Sequence, residues 1–214
     1  EMLRTMKKIF IMLFLGTGVA AAAQTPFADC FFDKTMRFDY YHAGDSRSEE
    51  YFFDALKEEP YWAGSKVSLV DTTGYGNQFF RIVDRASGRE IYSRGFCTLF
   101  NEWQSTPEAD SVRRSYPESV VFPYPKRPCR IEIFTRNGRF EKRFSQNIDP
   151  DSYFIERFTP RCETFEVMYS GNSAQRVDIV LLPEGYGAGE RAKFESACRT
   201  FADEFFSYSP YKEN

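Results

Sequence analysis

The sequence predicts a mostly β protein, in which an antiparallel β-sandwich is followed by the first strand and helix of an α/β domain. Short runs of alternating apolar and polar residues recur with turn residues between them, which is typical of a sandwich. Asn137-Gly138 joins two such runs, 131–134 and 140–144, and is a strong signal for a hairpin turn. The α/β domain is indicated by a nearly continuous apolar run at 177–182.

The N-terminus has the three parts of a secretory signal peptide. Lys7 and Lys8 precede a short apolar run at 9–15, and Ala21 and Ala23 supply the small residues of a cleavage site. The apolar stretch is shorter than the roughly 20 residues that span a bilayer. We therefore predict cleavage after Ala23, with export to the periplasm, cell surface or extracellular space and no membrane span in the mature protein.

The remaining chain divides into three predicted parts. Residues 24–150 form the sandwich, 151–174 a connecting segment, and 175–214 the incomplete start of the α/β domain. Besides the hairpin at 138, strands are predicted at 35–41, 66–70, 78–84, 90–99, 119–122 and 130–135, while 49–57 fits either a strand or a helix. In the α/β part, Gly185, Gly187 and Gly189 form a turn before a helix whose apolar face carries Phe194, Cys198, Phe201 and Phe205.

Composition excludes several partners and sites. The net charge is -3 with acidic and basic residues well mixed, so no nucleic acid or anionic membrane is expected as a partner. None of the five cysteines forms a C-x-x-C motif, and Cys97 and Cys198 lie in apolar patterns that indicate small core residues. The glycine spacing at 185–189 does not match a dinucleotide-binding loop.

No catalytic or metal-ligating residue is predicted in this chain. An H-E-x-x-H zinc helix needs two histidines, whereas the sequence has only His42, which we interpret as a strand-end residue. A serine hydrolase would need a G-x-S-x-G turn, which is also absent from the sequence.

Trp62 and Trp103 are the candidate binding residues. Each lies beside a predicted turn rather than in the centre of a strand. An exposed indole there could stack on a sugar or a peptide, whereas a buried one would lock its loop to the sandwich. We favour burial, because large aromatic side chains are usually packed.

Six collinear segments carry a resemblance to a known family: MRFDYYHAG (36–44), EPYWAG (59–64), IYSRGF (91–96), FNEW (100–103), VFPYP (121–125) and VDIVLLPEGY (177–186). Together they resemble the IgA-peptidase-type secreted zinc metallopeptidases, from about Asp33 to Asn214. The resemblance implies a β-sandwich N-terminal domain and then the first strand and turn of the peptidase domain. One difference is Gly187, where the family often has a threonine that starts the helix.

The resemblance predicts the N-terminal accessory region of an exported zinc metalloendopeptidase. Zinc and a protein or peptide substrate are expected in the full-length protein, through a catalytic domain whose H-E-x-x-H helix this sequence lacks. The chain alone is therefore predicted to be inactive and to hold no cofactor. The alternative is a carbohydrate- or protein-binding β-sandwich module of the cell surface, suggested by the aromatic residues near turns.

Overall fold

The computed structural model describes residues 26–157, 159, 162–172 and 176–213, so the predicted signal peptide at 1–23 lies outside the described residues. The described strands are β1 (Phe31–Asp45), β2 (Ser48–Glu59), β3 (Gln78–Asp84), β4 (Glu90–Phe96), β5 (Arg114–Pro125), β6 (Cys129–Asn137), β7 (Arg139–Ile148) and β8 (Glu156–Arg157). The helices are α1 (Phe27–Cys30), α2 (Leu99–Gln104) and α3 (Arg191–Phe205), with 3-10 turns at Pro107–Asp110 and Tyr211–Glu213.

The strands form two four-stranded sheets, which confirms the predicted sandwich. The order of strands in the first sheet is β5-β1-β2-β8, and in the second it is β4-β3-β6-β7. Every pairing is antiparallel except that of β8, which adds to β2 in parallel through Lys57 and Glu58. The added strand comes from the segment that follows the last hairpin.

Strand β1 organises the core because it pairs with a neighbour on each side, β2 and β5. Its inward residues alternate with outward ones, and Met36, Phe38 and Tyr40 are almost completely buried. Across the core, Ile131 and Ile133 of β6 are fully buried. Each large apolar side chain removed from water in this way stabilises the fold by about 1.5–3 kcal/mol.

Both predicted hairpins are present. Asn137-Gly138 lies at the β6–β7 turn, where Gly138 has φ 71°, and Gly88 in the β3–β4 loop has φ 70°. These are left-handed conformations that glycine adopts without a steric penalty. Residues 49–57, which fitted a strand or a helix, belong to strand β2.

Two predicted strands are not observed. Residues 66–70 form an irregular segment, although Leu69 is buried and its carbonyl accepts a hydrogen bond from the Ser93 amide at 3.0 Å. The apolar run 177–182 is not paired with any strand among the described residues, and Val177 and Leu182 are 88% and 80% exposed. A β-strand requires hydrogen bonds to a neighbouring strand, and an apolar pattern in the sequence does not ensure that such a partner strand is present.

Helix α3 follows where it was predicted, with Cys198 buried and Phe201 exposed. The Glu190 carboxylate accepts a hydrogen bond from the Gly187 amide at 2.8 Å just before the first turn. The prediction that Cys97 is a core residue was wrong, because its side chain is exposed in the segment between β4 and α2. None of the helices in the described ranges is long and apolar enough to cross a bilayer.

Gly95 gives a test of how tightly the second sheet is covered. A Cβ atom at this position would lie 1.8 Å from the carbonyl oxygen of Tyr75, which is backbone and cannot rotate away. We expect Gly95→Ala to lower the free energy of unfolding by about 1–3 kcal/mol, as overpacking does elsewhere. Urea denaturation of the whole chain measures this change.

Gly189→Ala is the matched control, because no atom lies within 4 Å of its added methyl group and its φ is not in the left-handed region. Its unfolding midpoint should stay within experimental error of the wild type. Equal midpoints for the two variants would show that the segment containing Tyr75 is free to move away from β4.

Candidate functional site

The most unusual group of polar side chains in the described structure surrounds His42. The imidazole is 0% exposed and lies on the inward face of β1. Its Nδ1 atom is 3.2 Å from Glu118 Oε2 on β5, and its Nε2 atom is 3.2 Å from Glu49 Oε2 on β2. The neighbouring strands thus place a carboxylate at each ring nitrogen.

Two aromatic rings cover the faces of the imidazole. The ring of Tyr51 stacks on one side with a centroid distance of 4.2 Å, and the ring of Phe100 stacks at 3.9 Å. Tyr51 is the β2 residue paired with His42, whereas Phe100 belongs to helix α2. The imidazole is therefore enclosed on its faces by rings and at both nitrogens by carboxylates.

This environment favours the protonated form of His42. Burial alone lowers the pKa of a histidine, but the hydrogen bonds to Glu118 and Glu49 outweigh it and raise the pKa of His42 above its usual value. Only the imidazolium can donate from both nitrogens at once. The pKa of Glu49 is lowered. Burial raises this pKa, but the hydrogen bonds from His42 and Thr135 and the charges of His42 and Arg143 lower it by more than burial raises it.

Hydrogen bonds extend the group to the second sheet. The Tyr51 hydroxyl donates to Gln78 Oε1 at 2.9 Å, and Gln78 Nε2 donates to Asn101 Oδ1 of α2 at 3.0 Å. Arg143 of β7 lies 3.1 Å from the other oxygen of Glu49. The His42 group consequently connects three strands of the first sheet to β3, to β7 and to helix α2.

The geometry suits a structural role for the His42 group. Both ring nitrogens are occupied and both faces are covered, so no reacting atom can approach within the distance that general base catalysis requires. Within the part of the chain that the structure describes, no set of three His, Cys, Asp or Glu side chains is arranged to hold a metal ion. What the arrangement can do is fix α2 on the sandwich.

Trp103 lies in helix α2, next to the His42 group. Thr98 caps the helix by accepting a hydrogen bond from the Asn101 amide. The Trp103 indole is 8% exposed, packs on Phe100, and donates from Nε1 to Glu108 Oε2 at 2.8 Å. Trp103 therefore closes a small second core beside the main one.

Trp62 lies in the loop after β2 and is also 8% exposed. Its Nε1 donates to the Ser65 carbonyl at 3.2 Å, and its ring meets Tyr92 of β4 edge-on at 5.7 Å. Trp62 thus joins this loop to the main core. The two tryptophans belong to separate clusters, and a binding role for either stays a prediction.

The sequence interpretation of His42 as a strand-end residue was wrong, and it did not connect His42 with Glu49 or Glu118. The alternation of β1 could have placed His42 on the buried face, because it follows Tyr40 at a spacing of two. No local signal identifies its partners, since Glu118 is 76 residues away in sequence.

The charge state of His42 should make stability depend on pH. Because its pKa is raised in the folded protein, its contribution is complete below the unfolded pKa of about 6.5. The contribution is lost as the pH rises through the folded pKa. We expect the free energy of unfolding to fall as the pH rises above about 6.5, measured by urea denaturation at a series of pH values.

His42→Gln keeps a polar side chain but cannot carry the charge. It should cost about 3–5 kcal/mol at pH 6, because two buried carboxylates lose their shared partner, and it should abolish the decline in stability above pH 6.5. The sequence contains one histidine, so no other imidazole can supply that decline. A decline that persists in His42→Gln would assign the pH dependence to another group.

Comparison with known protein families assigns the chain. The family model described as Peptidase M64 N-terminus matches residues 26–145, and the model described as IgA Peptidase M64 matches residues 165–214. No curated protein matches the chain significantly. The first match spans more than half of the chain; it includes strands β1 to β6 and ends within β7. The second match contains helix α3. The chain therefore belongs to the M64 peptidase family.

Proposed function

We propose that this chain is the N-terminal accessory region of an exported zinc metalloendopeptidase, and that the zinc ligands lie in sequence beyond Asn214. The observation that carries the proposal is the order of the two family matches. The sandwich from β1 into β7 matches the N-terminal model, and the chain from residue 165 onward matches the peptidase model. The sandwich thus precedes the catalytic part and is distinct from it.

A groove supports contact between the sandwich and the peptidase segment. It has a volume of about 780 Å³ and lies beside Trp62. Thr35, Glu59 and Val121 line it from the sandwich, and residues 176–178 line it from the segment that matches the peptidase model. We infer that the sandwich supports the start of the catalytic domain across this groove.

The ligand requirements of a zinc peptidase are the reason why we assign the catalytic residues to a part of the protein beyond Asn214. Catalytic zinc is held by three protein ligands, commonly two histidines and a carboxylate, and activates a water for attack on the peptide bond. The one histidine of this chain is already bound between Glu49 and Glu118. When bound in the catalytic domain, zinc would supply the activated water, and the residues of this chain would help to position the protein substrate.

Metal content and activity test the proposal together. The purified chain, dialysed after incubation with zinc, should retain far less than one zinc per molecule by mass spectrometry. It should also not cleave a quenched fluorescent peptide library. The coding sequence downstream of residue 214 should continue into an H-E-x-x-H helix and a third ligand. Stoichiometric zinc with peptide cleavage by the chain itself, or a stop codon directly after residue 214, would contradict the proposal.

The alternative of a carbohydrate-binding module has less support from the positions of the tryptophans. Sugar stacking needs an open indole face, whereas Trp62 and Trp103 are both buried against neighbouring rings. A glycan array probed with the whole chain distinguishes the two. Specific binding that disappears in Trp62→Ala or Trp103→Ala, while each variant stays folded, would favour the module.

A further inference from the structure

The outer face of the second sheet carries an uninterrupted group of phenylalanine and cationic side chains, which we call the Phe-Arg face. The three phenylalanines are Phe79 of β3, Phe134 of β6 and Phe140 of β7. Phe79 lies 5.8 Å from Phe134 and 5.3 Å from Phe140, measured between ring centroids. All three are partly exposed, although they lie on the side of the sheet opposite the core.

Guanidinium groups lie over these rings. Arg81 is 5.1 Å from the centroid of Phe134, and Arg136 is 4.2 Å from that of Phe140. An arginine stacked on an aromatic ring still presents its N–H groups at its edge, where a carboxylate can accept two hydrogen bonds. Arg136 donates to the backbone carbonyls of Gly74 and Gly76, which holds it in place without neutralising its charge.

Positive charge is in excess on the Phe-Arg face. Glu132 is 1% exposed because three cations cover it: Arg81 Nε at 2.7 Å, Arg130 Nε at 3.0 Å and Lys142 Nζ at 3.3 Å. One further carboxylate, Glu90, lies 3.6 Å from Arg81. A third carboxylate, Asp71, accepts a hydrogen bond from the amide of Gly95, the β4 partner of Phe79. With Arg136, four cations therefore share this face with three carboxylates.

The outer face of the first sheet has a different balance of cations and carboxylates. There Arg37 pairs with Asp39 and Glu59, and Lys57 pairs with Asp39 and Glu156, so two cations face three carboxylates. The whole chain has a net charge of -3, which makes the positive excess on the Phe-Arg face a local feature.

The Phe-Arg face also borders an open backbone edge. Of the described strands, β7 pairs only with β6, which leaves its other edge without a partner strand along ten residues. An extended peptide can add to such an edge through main-chain hydrogen bonds and place every second side chain over the adjacent face. A polysaccharide has no peptide N–H and C=O groups, so it cannot add to this edge as a further strand.

We propose that the Phe-Arg face and the edge of β7 form a docking surface for an extended, acidic polypeptide segment. The polypeptide nature of the ligand rests on the proposed function, and its acidity rests on the charge of the face. Carboxylates on every second residue would bind Arg136 and Lys142, and the methylene groups of those same side chains would contact the exposed parts of the phenylalanines, while the residues between them would point away from this face. The segment would be a stretch of protein substrate held by the accessory region.

Fluorescence anisotropy with a labelled peptide tests this surface on the whole chain. The probe is a fluorescein-labelled decapeptide of alternating Glu and Val, compared with the same peptide carrying Gln for Glu. We expect the Glu peptide to bind at 50 mM salt, at least tenfold more tightly than the Gln peptide, and to weaken as salt screens the charges. An absence of binding by the Glu peptide, or equal binding of both peptides, would overturn the proposal.

The double variant Arg136→Gln/Lys142→Gln should weaken binding of the Glu peptide at least about tenfold, which corresponds to the loss of two charge-assisted contacts. Arg47→Gln/Arg199→Gln removes the same charge from exposed positions elsewhere and should leave binding unchanged. If the double variant does not fold, as judged by circular dichroism, Lys142→Gln alone should still weaken binding severalfold. An equal loss in the control variant would show a general charge effect and overturn the proposal.

A sulfated hexasaccharide from heparin is the competing ligand. If it binds at the Phe-Arg face and the Glu peptide does not, the surface recognises an anionic glycan and the polypeptide proposal fails. These outcomes are separate from those of the accessory proposal. Loss of peptide binding with an H-E-x-x-H helix downstream would remove only the docking surface, whereas peptide binding without such a helix would remove only the accessory proposal.

Discussion

A histidine held between two carboxylates and buried under two aromatic rings is the interaction on which the rest of this sandwich depends. His42 joins β1 to β2 through Glu49 and to β5 through Glu118. Phe100 completes the enclosure from helix α2. Such a group is costly to bury, and it is stable only when every partner is in place. The packing of α2, the closure of one end of the core and the alignment of the two sheets are therefore coupled to one another.

The local parts of this fold could be predicted from the sequence. The β6–β7 hairpin follows from Asn137-Gly138 and the alternation around it, and helix α3 follows from a 3.6-residue period. The apolar run at 177–182 shows the limit of such predictions. An apolar pattern indicates that a segment can be buried, but it does not show that a second strand is available to pair with it. The strand predicted at 66–70 failed similarly: the Leu69 side chain packs in the core, but its carbonyl accepts a hydrogen bond from the Ser93 amide without a ladder forming.

The groups of interacting side chains were less predictable from the sequence than the strands and helices. The single histidine is too few for an H-E-x-x-H motif, and the resemblance implied that the catalytic residues lie elsewhere. Nothing local indicated that Glu132 would be buried beneath three cations on an outward face, because those cations come from three different strands. Charge pairs of this kind are fixed by strand order and register, which emerge only once the sheets have assembled.

The parallel addition of β8 to β2 has a consequence for where this protein can be divided. Residues 151–174 were predicted to be a connecting segment, and within it Glu156 and Arg157 are hydrogen-bonded into the first sheet. Tyr124 of β5 also donates to the carbonyl of Pro150 at 2.7 Å. A polypeptide shortened at residue 150 would open the edge of β2 at Lys57 and Glu58 to other chains, and open strand edges invite aggregation. The first sheet therefore includes residues as far along the chain as Arg157.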